Sequence, residues 1–282
     1  MPDAFTDTKV LHTLPWNSDV ITSVAFIGND KVAAGNKRGD ILIWNPAVAD
    51  GKAPSPVCRL AGHANEINRI VVTPDGKTLI SVSCDHTVKY WDAVSESGEA
   101  GSVVLNDGVV LKGVVEKVEK LPTLPPPIEV KLVVQKPIRD LTWHKEWVWG
   151  LSQTPDGKTL VTGDDKGVII VWDLPTGKER NRWQATQAIR SLGISPDGKT
   201  VAALQHTPFI RFKGLDEYLP HLHIWDAESG QSKIDLSKEI KEGMSAIVYS
   251  TDGKWLAAGH GNTQGFFSSD LAGGGVQADN SH

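Results

Sequence analysis

Only two cysteines, Cys58 and Cys84, occur in the 282 residues, and they share no CxxC or other metal-ligand spacing. Two thiols make no disulfide framework, so a small secreted scaffold stapled by bridges is excluded. No apolar run approaches the length of a membrane span, and the N-terminal "MPDAFTDTKVLHTL" does not read as a signal peptide. Charge of one sign is lacking too. The net charge is −5 with acids and bases interspersed, which removes the footprint of a nucleic-acid binder. Long helical periodicity is missing. What remains as the expectation is a cytoplasmic protein without membrane or nucleic-acid partners.

What is present is turn chemistry, written several times. There are 27 glycines and 16 prolines, which suits a turn-rich all-β chain. The stretch "TPDGKTLI" at Thr73 returns as "TPDGKTLV" at Thr154, "SPDGKTVA" at Ser195 and "STDGKWLA" at Ser250. Proline presets φ for a turn, aspartate tolerates the next position, and glycine accepts the positive φ that closes it. Apolar, β-rich residues flank each copy, so each reads as the tip of a hairpin. A second marker follows at a distance: "ILIWN" ends at Asn45, "VKYWD" at Asp92, "IIVWD" at Asp173 and "LHIWD" at Asp226. The steps are unequal, the second being about twice one repeat.

The unit from Leu60 to Asp92 carries the whole pattern in order: Gly-His, strand, turn, strand, acidic turn, and a strand ending in Trp-Asp. Here the chain resembles the WD-repeat β-propeller family. The resemblance covers residues 9 to 270 and implies four-stranded blades. The Gly-His turns and the turns between second and third strands would lie on one face, the top, and the PDGK turns on the bottom. About five blades are expected, four complete and one degenerate, as a fragment or incomplete ring, an unusual five-bladed ring, or an open arc. In the fifth, Ser269 stands where the tryptophan is expected. Residues 93–136 read as an insertion after the second Trp-Asp, with Asn106 to Gly108 as a turn and a degenerate blade as the alternative. Residues 271–282 read as a disordered tail. An open arc would expose strand edges for self-association.

Several residue sets imitate active sites. His63, Ser81 and Asp85 have the composition of a hydrolase triad; the resemblance implies instead a structural tetrad with Trp91, in which Ser83 could replace Ser81. The third unit keeps His144 and Thr162 but is expected to lack the carboxylate, because Lys166 stands at the place of Asp85, as Arg38 does in the first. "GISPDGKT" from Gly193 spells a phosphate loop, yet a strand, not a helix, is expected after it. His221 and His223 share a strand face and are too few for a metal site. No catalytic residue, metal or cofactor is assigned.

The functional expectation is a non-catalytic scaffold that binds other proteins through a propeller face; a propeller-based enzyme or a ligand- or metal-binding propeller is the alternative. The candidate contact residues are Trp143, Trp147 and Trp183 near the top turns, and Phe209, Arg211, Phe212, Lys213 and Tyr218 in the long stretch from Leu204 to His223. Aromatic and arginine side chains dominate interface hot spots.

Overall fold

The computed structural model describes residues 13–14, 16, 20–48, 54–105, 128–206, 221–239, 244, 246–259 and, for the backbone, 264–268. Among them the only helical element is a single 3-10 turn at Pro46–Val48. The strands sort into five sheets. The first contains β1 (Ile21–Ile27), β2 (Lys31–Asn36), β3 (Asp40–Trp44) and β4 (Pro56–Ala61), and the second begins with β5 (Ile67–Val72), β6 (Thr78–Ser83) and β7 (Val88–Asp92). Two strands, β8 (Glu99–Leu105) and β9 (Ile128–Gln135), intervene before β10 (Arg139–Leu141) completes the second sheet against β7.

The other sheets follow chain order. The third is β11 (Val148–Gln153), β12 (Thr159–Asp164), β13 (Val168–Asp173) and β14 (Lys178–Gln184); the fourth is β15 (Ala188–Ile194), β16 (Thr200–His206), β17 (His221–Asp226) and β18 (Ser232–Asp235). The fifth is β19 (Ala246–Tyr249), β20 (Trp255–Gly259) and β21 (Gln264–Ser268). Successive sheets pack face to face through their first strands, β1 on β5, β5 on β11, β11 on β15 and β15 on β19. This is the all-β blade arrangement of a WD-repeat propeller.

The repeated bottom turn has one chemical design. In each copy a Ser or Thr hydroxyl, at Thr73, Thr154, Ser195 or Ser250, donates to the Asp two residues on at 2.6 Å. The same Asp then accepts the amide two residues further. Glycine closes the turn at positive φ, for example 72° at Gly76 and 74° at Gly198. At the phosphate-loop look-alike the turn therefore leads into β16, and Lys199 Nζ lies 3.7 Å from Asp197 Oδ2 within the same turn.

Between sheets, glycine serves close approach. A Cβ at Gly35 would come 2.7 Å from Ile67 Cγ2, and one at Gly163 2.6 Å from Ile189 Cγ2. Each glycine is the socket for an apolar plug on the next sheet. Hydrogen bonds join the same seams: the Ile70 amide donates to Ser23 Oγ at 3.0 Å, and the Ile247 amide to Ser191 Oγ at 3.2 Å.

One expectation changes, and the insertion gains a structure. Pairing sets Leu256 of β20 opposite Phe267, as Leu79 is opposite Trp91 and Leu160 opposite Trp172. Phe267, not Ser269, thus takes the tryptophan register in the fifth sheet. Within 93–136, β8 and β9 pair with each other, and β9 joins β4 in parallel, so the first sheet grows to six strands. The turn expected at Asn106 to Gly108 lies outside the described residues, as do 1–12 and 269–282.

Candidate interaction surface

Two buried relays organise the top turns. In the second sheet Trp91 Nε1 donates to Ser81 Oγ at 2.8 Å, Ser81 donates to His63 Nε2 at 2.7 Å, and His63 Nδ1 donates to Asp85 Oδ2 at 2.8 Å. Asp85 also accepts the Ala64 amide and the Thr87 hydroxyl. Every N–H and O–H proton of the relay thereby has an acceptor. Burial lowers the His63 pKa, only partly opposed by Asp85, which keeps the imidazole neutral. Burial alone would raise the Asp85 carboxyl, but the His63, Thr87 and Ala64 hydrogen bonds outweigh it and hold the group well below the ordinary range.

The third sheet has the same relay, contrary to the expectation from sequence. Trp172 Nε1 donates to Thr162 Oγ1 at 2.9 Å, Thr162 meets His144 Nε2 at 2.7 Å, and His144 Nδ1 meets Asp164 Oδ2 at 2.8 Å. The carboxylate comes from the last residue of β12, two positions before Lys166. Its other oxygen accepts the amides of Lys166 and Val168, which shapes the turn. Lys166 itself points to the surface and pairs with Glu146 at 2.6 Å.

The register position of Asp164 is occupied by a polar side chain in the first four sheets. Asn36 accepts the amides of Arg38 and Asp40, Ser83 donates to the Asn65 carbonyl, and Gln205 accepts the amides of Thr186 and Gln187. The relay itself stops at two copies. Ala34 stands where Ser81 would be in the first sheet, and Trp44 Nε1 is buried with no acceptor among the described residues.

These relays have the atom order of a hydrolase triad without its access. Ser81 and Thr162 are both fully buried, and each hydroxyl already accepts an indole N–H. A nucleophile must meet substrate. The chemistry available here is the fixing of a turn.

What the third relay fixes is the turn from Thr142 to Trp147. With His144 pulled inward, its neighbours point out: Trp143 is 56% exposed and Trp147 45%. The Arg182 guanidinium lies 5.5 Å from the Trp143 ring centroid, and Arg182 Nε donates to Glu179 at 2.6 Å. Trp147 sets its edge on Trp149 at 6.5 Å, and Arg190 lies 4.8 Å over the Trp149 ring while pairing with Asp165 at 3.1 Å. Two cation–aromatic contacts thus flank the turn, Arg182 of β14 on Trp143 and Arg190 of β15, in the fourth sheet, on Trp149. Trp149 and both arginines went unnoticed in the sequence, because they sit inside strands whose alternation marks them only as strand residues.

Trp183 is elsewhere. It is half-buried between the third and fourth sheets, 6.1 Å from the Trp225 ring and against Gly230. His223 stacks on Trp225 at 4.4 Å and meets Ser232 Oγ at 2.6 Å. Phe209, Arg211, Phe212, Lys213 and Tyr218 lie outside the described residues. The strands that flank them, β16 and β17, end at His206 and begin at His221, and Gln205 pairs with His221 on the same top edge. Among the described residues no cluster of three or more His, Cys, Asp and Glu could hold a metal.

Comparison with known proteins agrees with this architecture. The family model "WD domain, G-beta repeat" matches residues 54–92 and 135–173, the two segments that contain the relays. The chain is similar to small ribosomal subunit protein RACK1 of Medicago sativa, 24% identical over 310 residues, with 88% of this chain and 91% of that protein covered. RACK1 of Glycine max is 23% identical over the same share. A 77 kDa echinoderm microtubule-associated protein of Strongylocentrotus purpuratus is 29% identical over 86% of this chain and 33% of its own length. The chain carries WD repeats on a propeller-type blade array.

Proposed function

We propose that this chain is a non-catalytic WD-repeat scaffold that binds another protein through the top of its third sheet. The observation that carries this reading is the turn Thr142 to Trp147, where a buried relay holds two exposed tryptophans beside Arg182 and Arg190. Exposed indoles on a fixed turn lose little entropy on binding, and Trp and Arg supply the largest hot-spot energies. Glu146 and Asp165 add the opposite charge, which orients a partner more than it tightens it. The strands on either side of residues 207–220 pair at the top of the adjoining fourth sheet, and Phe209, Arg211, Phe212, Lys213 and Tyr218 are kept in the same reading.

The relatives' names support the class of partner. One group is named for the small ribosomal subunit and another for microtubules, both protein-containing assemblies. A cytoplasmic setting is part of this reading, since the free thiols Cys58 and Cys84 are buried, with burial pushing Cys58 up to about 11. No helix among the described residues is long and apolar enough to cross a membrane. The test is the variant Trp143→Ser/Trp147→Ser in cross-linking capture with quantitative mass spectrometry. Loss of specific partners at unchanged unfolding midpoint is expected; an unchanged partner set contradicts the proposal.

A further inference from the structure

One contact, repeated, joins the sheets, and it leaves both ends of the array unmatched. On the first strand of each later sheet, apolar side chains face the preceding sheet: Ile67 and Ile70 on β5, Val148 and Leu151 on β11, Ile189 and Leu192 on β15. Ile247 of β19 keeps the second of these positions. All seven are between 0% and 5% exposed. The same register on β1 holds Ile21 and Val24, which are 41% and 65% exposed, with Phe26 exposed on the same face.

The far end shows the counterpart. Val248 of β19 is 61% exposed on the side that a following sheet covers elsewhere, and Trp255 is exposed next to it. At the equivalent place in the second sheet Val71 packs into the core shared with the third, and in the fourth sheet Gly193 lies against Tyr249 of the fifth. Strand packing runs from the first sheet to the fifth, and no close packing among the described strands returns from the fifth to the first.

Shape agrees with polarity. The outer half of the first sheet's open side is already covered, because Leu105 of β8 and Leu132 of β9 pack on Ala34, Leu42 and Trp44. A four-stranded sheet docking there would meet this hairpin. Among the described residues the fifth sheet shows three strands, β19 to β21, a width that matches the inner half left open by the hairpin.

We propose that the open face of the first sheet in one copy of this chain binds the open face of the fifth sheet in a second copy. The contact continues the seam that already joins every neighbouring pair of sheets, with both halves carried by one chain. It is heterologous, so it generates a closed ring or an open chain of copies. It uses sheet faces remote from the tryptophan turn and stands apart from the scaffold reading.

The experiment is sedimentation of the full chain between about 1 and about 100 µM, the range in which a modest interface populates. Wild type is expected to associate with rising concentration. Val24→Glu/Phe26→Glu and Val248→Glu/Trp255→Glu, which alter only exposed side chains, should each sediment as monomers with unchanged unfolding midpoints. An equimolar mixture of the two variants should form a species limited to two chains, because one intact face remains on each. A monomeric wild type across the range overturns the proposal, as does association of either variant alone. Failure of the mixture to associate overturns it as well, and a face that pairs with its own kind would show itself as association of one variant alone.

Discussion

The second and third sheets contain the same four-part relay and show opposite surfaces above it. In the second, His63 holds a turn whose outward residues are Ala64, Asn65 and Glu66; in the third, His144 holds one that displays Trp143 and Trp147. The relays end in carboxylates from different positions, Asp85 in the turn and Asp164 at the strand end. The buried chemistry is thus indifferent to what the turn presents. Structure is maintained by the shared part, and binding is assigned to the part that differs.

The comparison breaks first if the relays are unequal. Trp91→Ala and Trp172→Ala are each expected to cost about 3 to 5 kcal/mol in urea unfolding, the range for truncating a buried aromatic; a difference above about 2 kcal/mol would show that one sheet relaxes around the loss. Next comes the origin of the carboxylate. Asp85→Ala and Asp164→Ala each leave a buried imidazole unsatisfied, at roughly 1 to 3 kcal/mol, whereas Lys166→Ala should stay within about 0.5 kcal/mol as a surface change. By the same reasoning His63→Ala and His144→Ala should be similar, replacing the expectation that only the second unit is complete.

Acid sharpens the comparison further. The folded pKa of His63 lies below its ordinary 6.5, so below that pH the unfolded chain binds the extra proton and stability falls. The loss is at most about 1.4 kcal/mol per pH unit for one site and continues until the folded His63 titrates. Asp85, held low by its partners, adds a loss in the same direction further down, below its ordinary 3.8. Unfolding midpoints from pH 7 to pH 5 should fall, and His63→Gln should flatten that slope; an unchanged slope in the variant would remove His63 from the account. The smallest expected effect on stability is that of Trp143→Ser or Trp147→Ser, within about 0.5 kcal/mol.

Much of this fold was legible because its signals are local. The Ser/Thr-x-Asp-Gly turns declare themselves in sequence since the bonds that form them span five residues, and the Trp-Asp ends mark the third strands. The relay of the second sheet was legible through the resemblance of Leu60 to Asp92 to a WD repeat, since its partners lie 10 to 22 residues apart. The third was missed by holding the carboxylate to a fixed offset, although Asn36, Ser83, Asp164 and Gln205 form a polar column that points to the strand end. The β9 to β4 pairing had no local signal, since Cys58 and Val133 are parallel partners far apart in the chain. Trp183 was misplaced because alignment on the Gly-His turn ignores that an indole one residue earlier faces the neighbouring sheet.

The most direct test of the division between shared support and displayed surface is capture of one cross-linked partner by matched variants of the two turns. Trp143→Ser/Trp147→Ser in the third sheet should weaken capture by at least about tenfold, the loss of one hot-spot increment, while Asn65→Ser/Glu66→Ser in the second leaves it unchanged. Equal weakening by both pairs, or none by the tryptophan pair, would contradict it.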